Sequence, residues 1–276
     1  MQTIDGKKLS LEILAKIKKE TALLDFQPVF CDVLVGDNKA SAQYVRMKAK
    51  TAESVGIKFH NASFPASITT KELLKEIKIL NNLPQMCGII IQLPLPASID
   101  QRAVLDAIDP RLDVDCLGSV ASENFYQRGV SLGFPTALAC IAVLDSLKID
   151  FRNKNIIVIG QGMLVGKPVA HLLKTRGLRA ETVRSSTENK EQLLKNADLI
   201  ISGIGKGKYI IGDMIKKGAV LIDAGTSESG SGIVGDVDLE SVKDVASYVS
   251  PVPGGVGPVT VAMLLNNVLK VAKSLK

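Results

Sequence analysis

The chain has 276 residues, of which 46% are apolar and 22% charged, with a formal net charge of +6, four cysteines and two histidines. This is the balance of a globular protein of one or two domains; the short lysine groups are interleaved with acids and lack stacking aromatics, which suits an anionic small ligand and argues against nucleic acid. The apolar runs at 88–93 and 156–160 fall far below the roughly 20 residues of a membrane span. Residues 1–8 lack a leader-like apolar core, so a cytoplasmic protein is expected. Cys31, Cys87, Cys116 and Cys140 with His60 and His171 give no metal-binding spacing, so no metal is expected.

In chain order, apolar spacing predicts a helix over 9–24 and a strand over 29–35, followed by a turn at Gly36-Asp37-Asn38. A second helix spans 41–55 and stops at Gly56. On it Ser41, Tyr44 and Lys48 stand at i, i+3 and i+7 and share a face. Either Tyr44 packs and Lys48 is a solvated charge beside Arg46 and Lys50, or a flat ligand stacks on Tyr44 and Lys48 transfers a proton. A strand over 57–64 and a Thr-capped helix over 70–80 follow. Residues 88–93 suit a strand buried on both faces. Gln92 closes it, at the strand end where open α/β sheets bind ligands. There it either caps the strand or serves an oxyanion or a water. Asp113-Val114-Asp115 occupies a polar loop after Pro110, as an Asx turn or as a partner for an N–H-rich ligand edge. Residues 136–147 read as a helix.

The alternation restarts near Lys154. A buried strand over 155–160 runs into Gly160-Gln161-Gly162 and Gly166, ahead of a helix placed over 163–175. Strand, glycine turn and helix in this order let a pyrophosphate approach a helix N-terminus; a ligand-free turn is the alternative. The next strand, 181–183, ends in Arg184-Ser185-Ser186-Thr187, with no acid for a ribose hydroxyl. A guanidinium with hydroxyls there fits a 2′-phosphate, favouring NADP over NAD unless Arg184 is merely solvated. Strands over 198–204 and 220–225 follow. Pro251 to Pro258 holds three prolines and three glycines, including Pro253, Gly254, Gly255 and Gly257 around Val256, and reads as either a ligand wall or a tight turn. It feeds a final helix over 259–275, with no strand after it. Such alternation predicts parallel sheets covered by helices, an α/β chain of two domains.

Five ordered blocks resemble the bifunctional methylenetetrahydrofolate dehydrogenase/cyclohydrolase family: Tyr44-Val-Arg-Met-Lys48-Ala-Lys50, Gly88 to Pro96, Asp113-Val-Asp115, Gly235-Asp-Val-Asp238 and Ser250 to Thr260. The resemblance implies an N-terminal folate domain (1–135), a Rossmann domain (136–258), a cleft between them, and a last helix (259–276) returning to the first domain. It implies NADP-dependent oxidation of 5,10-methylenetetrahydrofolate to the methenyl cation, then hydration to 10-formyltetrahydrofolate. NAD remains possible as cofactor, and a homodimer is expected. In the implied site, Lys48 manages the proton of the attacking water with Gln92, given a lowered proton affinity from burial or nearby positive charge. Tyr44 stacks on folate, Asp115 binds the pterin edge, and Ser41 supports. Pro253, Gly254 and Gly255 line the folate. Gly160, Gln161, Gly162, Gly166, Arg184, Ser185, Thr136, Val256 and Gly257 contact the cofactor.

The chain departs from the family at several places. Cys116 replaces a glycine, Phe134-Pro-Thr136-Ala-Leu-Ala139 keeps only the threonine of a Pro-Cys-Thr-Pro segment, Gly160-Gln-Gly162 replaces Gly-Arg-Ser, and Arg184-Ser185 replaces His-Ser. These changes leave two alternatives: a cyclohydrolase with a weakened cofactor site, or a non-catalytic folate- or nucleotide-binding protein. Another two-domain Rossmann dehydrogenase would leave the five blocks unexplained.

Overall fold

The computed structural model describes residues 1–127, 132–230 and 232–275; residues 128–131, 231 and 276, which the expected domain spans include, lie outside the described residues. The chain divides into two compact units, Glu12–Pro135 with Leu264–Lys276, and Met1–Leu11 with Thr136–Met263.

Among the described residues, the unit holding Glu12–Pro135 is built on three parallel strands in the order Lys58–Phe64, Val29–Val35, Met86–Ile91. Val29–Val35 is central and buried at every position, as is Met86–Ile91, which is why both read as nearly unbroken apolar runs. The helix Lys39–Ser54 begins where the Asn38 side chain accepts the Ser41 amide, at 2.9 Å. Its buried stripe is Ser41, Val45, Lys48 and Ala52, a helical spacing that includes a lysine. The helix Thr70–Asn81 opens with a reciprocal cap between Thr69 and Glu72 and buries Leu73, Ile77 and Leu80; such a cap contributes about 1 kcal/mol. The later part of the helix Val256–Ser274 also belongs here. Asn267 donates from Nδ2 to the Val114 carbonyl at 2.9 Å and the Gly133 carbonyl at 2.7 Å.

The other unit carries six parallel strands in the order Gln2–Thr3, Tyr248–Val249, Val220–Asp223, Leu199–Ser202, Ile156–Ile159, Ala180–Val183. From Ile156–Ile159 the chain moves outward to Ala180–Val183, then crosses to Leu199–Ser202 on the opposite side. Strand order therefore reverses at Ile156–Ile159, the topological switch point where doubly wound sheets bind ligands. Ile157, Ile159, Leu194, Ile200, Leu221 and Val242 belong to its core.

Several boundaries differ from the sequence reading. Residues 1–11 were assigned to the N-terminal domain with the rest of 1–135, yet Gln2–Thr3 pairs in parallel with Tyr248–Val249 and the segment belongs to the six-stranded unit. A two-residue strand is too short to show a period of its own. The last helix starts at Val256, so Val256 and Gly257 lie in its first turn, with Pro258 behind them, where a missing amide costs nothing. The helix placed over 163–175 opens only at Gly166. The helices Gln101–Asp106, Ser119–Gln127 and Lys190–Asn196 are short and escaped the reading.

Candidate active site

In the three-stranded unit, Lys48 points inward and its head is held by two acceptors. Nζ donates to Gln92 Oε1 at 2.8 Å and stands 2.6 Å from Asp32 Oδ2. Lys48 is 3% exposed and Asp32 fully buried, which excludes the reading of Lys48 as a solvated charge. Gln92 Nε2 donates to the Leu93 carbonyl at 2.8 Å, which turns its oxygen toward the lysine. The Nζ also lies 5.1 Å from the centre of the Tyr44 ring, within cation–π range, while the ring is 40% exposed. Ser41 is buried on the same helix, and its amide is spent on the Asn38 cap.

The charges here are strongly coupled. Burial raises the Asp32 carboxyl above its ordinary range, and the Lys48 ammonium acts against that rise. Desolvation pushes Asp115 up to about 7; Lys48 opposes the shift, while Asp113 and Asp32 add to it. The Tyr44 phenol is pushed up to about 12 by desolvation, then by Asp115 and Asp32. Lys48 is buried, and the charge nearest its Nζ is the Asp32 carboxylate.

The two aspartates of Asp113-Val114-Asp115 separate in role. Asp113 is buried and accepts the Gly118 amide through Oδ2 at 2.7 Å, so it closes its own turn. Asp115 remains partly exposed and coupled to Lys48 and Tyr44. Cys116, which stands where the resembling family has glycine, adopts φ 59°, the left-handed region that glycine occupies without strain.

In the six-stranded unit, the turn after Ile156–Ile159 is shaped by its backbone. Gly160 has φ 95°, and its amide donates to the Val183 carbonyl at 2.9 Å, tying the turn to the strand that ends at Arg184. A Cβ on Gly166 would strike the Gly160 carbonyl, so the helix Gly166–Thr175 can back onto the turn only as glycine. Around Gly162 a Cβ would meet nothing within 4 Å. Gln161 folds back, donating from Nε2 to the Gly160 carbonyl at 2.9 Å. Arg184 and Ser185 are exposed; the Arg184 amide donates to Thr187 Oγ1 at 2.9 Å. Bare backbone at a helix start, with a cation and hydroxyls at the adjacent strand end, fits a dinucleotide with a 2′-phosphate. Thr136 is half-buried in the first turn of the helix Pro135–Ser146.

The segment 250–257 is folded on itself. The Ser250 hydroxyl accepts the Asp223 amide at 2.7 Å, and the Gly255 amide donates to the Pro251 carbonyl at 2.7 Å. The Gly255 carbonyl packs so closely on Gly6 that a Cβ there would collide with it, and Ser10 Oγ donates to the Pro258 carbonyl at 2.9 Å. Gly6 thus has a packing reason, a Cβ on Gly255 would itself strike the Pro251 carbonyl, and the contacts of Gly6 and Ser10 explain why the first eleven residues join this unit. Gly257 is different: a Cβ there would meet nothing within 4 Å. Pro253 and Gly254 lie in the turn between, Gly254 at φ 104°.

Three residues escaped the sequence reading. Asp32 is the first, although a lone acid inside an otherwise apolar buried strand always needs a partner. Asp223 and Asp236 are the others. Asp236 accepts from the Ser202 hydroxyl at 2.7 Å and from the amides of Ile204 and Lys206. Asp223 accepts the amides of Gly225 and Val237, both at 2.9 Å. The block Gly235-Asp-Val-Asp238 therefore pins the loops that leave the strand ends. Among the described residues no cluster of three or more His, Cys, Asp or Glu is placed to hold a metal ion.

Sheet order, glycine turn and lysine centre together define an enzyme with a separate nicotinamide-dinucleotide-binding domain. The family models agree: the tetrahydrofolate dehydrogenase/cyclohydrolase catalytic domain matches residues 4–115, and the NAD(P)-binding domain of the same family matches 135–276. A bifunctional FolD protein of Nitratiruptor is 42% identical over 280 residues, covering 100% of this chain and 99% of its own. The crystal structure of the bifunctional FolD enzyme from Campylobacter jejuni superposes with a TM-score of 0.95 at 36% identity, covering 100% of both chains. The Trypanosoma brucei enzyme, solved with NADP cofactor and inhibitor, gives 0.92 at 34% identity over 99% of this chain and 97% of that one. The chain belongs to the tetrahydrofolate dehydrogenase/cyclohydrolase family.

Proposed function

We propose that the protein oxidises 5,10-methylenetetrahydrofolate with NADP and hydrolyses the resulting methenyl cation to 10-formyltetrahydrofolate. The observation that carries the reading is the buried Lys48, held on Gln92 at 2.8 Å. An ammonium costs several kcal/mol to bury, and no packing role requires one at that position. When bound, NADP supplies the acceptor for the hydride that methylenetetrahydrofolate gives up. The bare backbone of Gly160–Gly162 and the start of the helix Gly166–Thr175 hold the pyrophosphate. Arg184 and Ser185 hold the 2′-phosphate, and Thr136, Val256 and Gly257 complete the cofactor contacts. Hydride loss leaves a cation shared by two folate nitrogens, so this step needs orientation more than acid–base help.

Hydration needs a base. A water attacks the cationic carbon, and its proton passes to Lys48 Nζ, with Gln92 orienting both partners. Tyr44 offers its exposed face for stacking on the folate. Asp115 binds the pterin N–H edge, and Ser41, Pro253, Gly254 and Gly255 support the substrate. The buried Asp32 carboxylate pairs with the Lys48 ammonium, and Asp115 adds negative charge near it as pH rises through about 7, so the centre complements a cationic substrate. The protein acts as a homodimer in the cytoplasm, without nucleic acid, and light scattering on the purified chain tests the dimer. Among the described residues no helix is long and apolar enough to cross a membrane.

The test follows NADPH formation on adding methylenetetrahydrofolate, and loss of methenyl absorbance, with NADP and NAD in parallel. Both signals with preference for NADP are expected. Methenyl loss without NADPH would leave a monofunctional cyclohydrolase, loss of both a binding protein, and preference for NAD would remove the role of Arg184.

A further inference from the structure

We propose that Asp32 is a positioning residue for the hydration step: a buried, fixed counter-ion that aims the Lys48 ammonium at Gln92 and sets the pH at which Lys48 can take a proton from water. The proposal rests on the reading of Lys48 as the proton acceptor.

Asp32 sits in the middle of the central strand, fully buried, flanked by Cys31 and Val33, both also fully buried. Its Oδ2 lies 2.6 Å from Lys48 Nζ, within ion-pair range, but among the described residues neither Oδ1 nor Oδ2 makes a well-aligned hydrogen bond. A structural ion pair would satisfy both carboxylate oxygens, and an apolar pair of similar volume would pack at least as well. The sheet and the helix Lys39–Ser54 therefore carry a cost that folding alone does not explain. The geometry accounts for it. Of the three donors on Nζ, one is spent on Gln92 at 2.8 Å, while the Asp32 carboxylate lies 2.6 Å away as an ion-pair partner. Donors remain for a water or substrate atom, while Gln92 and Asp32 together hold the head in place.

The charged and titratable groups around Lys48 come from every side. Asp32 lies on the central strand, Tyr44 on the lysine's own helix, and Asp115 on the 113–118 turn. Of these, Asp32 stands within ion-pair distance of Nζ. A carboxylate at this range favours the ammonium and holds back the free amine that accepts a proton. Arrival of the cationic folate opposes that bias. The lysine proton can then leave to solvent while Asp32 stays the counter-ion. Water adds its oxygen to the cationic carbon and gives one proton to Lys48. The carbinol hydroxyl then loses a proton and the folate nitrogen gains one as its bond to carbon breaks. The cycle closes with the carboxylate–ammonium pair restored and one proton set free per turnover.

The experiment measures pH profiles of methenyl hydrolysis, corrected for the uncatalysed rate, for the full chain and its Asp32→Asn and Asp32→Glu variants. With the counter-charge gone, the acid limb of Asp32→Asn moves down by about one pH unit or more, while Asp32→Glu, which keeps the charge, stays within roughly half a unit of wild type. An acid limb that does not move in Asp32→Asn overturns the proposal. Should neither variant fold, the wild-type chain decides. With 15Nζ-labelled lysine at pH 8, an ammonium shift for Lys48 is expected, and an amine shift overturns the assignment. Lys48→Arg separates the two levels of the argument. If it hydrolyses methenyltetrahydrofolate at the wild-type rate, the base reading falls and this proposal with it. If it is inactive while the Asp32→Asn limb is unmoved, the role of Asp32 falls alone.

Discussion

The lysine centre and the glycine turn solve different problems with different materials. The first is built from side chains: a buried carboxylate and an amide converge on one buried ammonium nitrogen within 2.8 Å. The second is built from backbone: Gly160 and Gly166 touch main chain to main chain, and Gly162 faces open space. Moving a proton needs a group that can hold one, kept in place at a cost to stability. A step whose reacting atom arrives on a bound molecule needs only a cradle and orientation. The comparison predicts that damage to one region spares the chemistry of the other.

The largest effect is expected at Lys48. Lys48→Arg keeps a positive charge beside Asp32 but cannot release its proton, so methenyl hydrolysis falls by about 10²- to 10⁴-fold. Lys48→Met should lose as much activity, and it also strands Asp32 without a partner, at a cost of about 3–5 kcal/mol. Melting curves recorded beside both assays separate the two effects. NADPH formation is expected to fall far less than hydrolysis in Lys48→Arg; an equal fall in both would erase the division of labour.

At the turn, Gly166→Ala drives a methyl into the Gly160 carbonyl. Overpacking of this kind costs about 1–3 kcal/mol, and NADP-dependent oxidation should drop with the melting temperature while methenyl hydrolysis persists. Gly162→Ala sharpens the point. A Cβ there meets no protein atom within 4 Å, so stability should hold while the KM for NADP rises. An unchanged KM would mean that the cofactor does not lie against Gly162. Arg184→Ala comes next. Loss of a charge-assisted hydrogen bond worth about 1.5–3 kcal/mol raises the KM for NADP by roughly 10- to 100-fold and leaves that for NAD unchanged.

The two regions also differed in how far sequence could reveal them. The glycine turn is local: strand, glycines and helix are consecutive, so Gly160, Gly162 and Gly166 were readable directly. The lysine centre joins residues 32, 48, 92 and 115, and spacing along one helix left Lys48 undecided. Its place on the stripe Ser41, Val45, Ala52 was a usable sign of burial. Asp32 was overlooked because Val29–Val35 reads as a strand whether or not one position is acidic. Only the parallel register that sets it beside Ile90, with the lysine helix packed against it, shows what the acid meets. The attachment of Gln2–Thr3 to a strand formed by residues 248–249 is a contact that no local pattern encodes.

Asp115→Asn gives the smallest effect and tests the cost of the lysine centre. Asp115 titrates near 7 in the folded chain, against an ordinary value of 3.8, chiefly because it is desolvated. A carboxyl raised in the folded state keeps its proton between those values while the unfolded chain has released it. Its contribution to stability is thus complete below about pH 4 and is lost as pH climbs through 7. Asparagine removes the titration. The melting temperature of Asp115→Asn should match wild type near pH 4, exceed it by a growing margin up to about pH 7, and keep that margin above. Partial exposure of Asp115 keeps the gain to a few degrees at most. A margin that ignores pH would mean that another group carries the charge. If the gain appears and folate binding weakens in the same variant, the protein holds at residue 115 a carboxylate that its fold would be more stable without. The lysine centre would then be strained by two acids, Asp32 and Asp115, and the glycine turn by none.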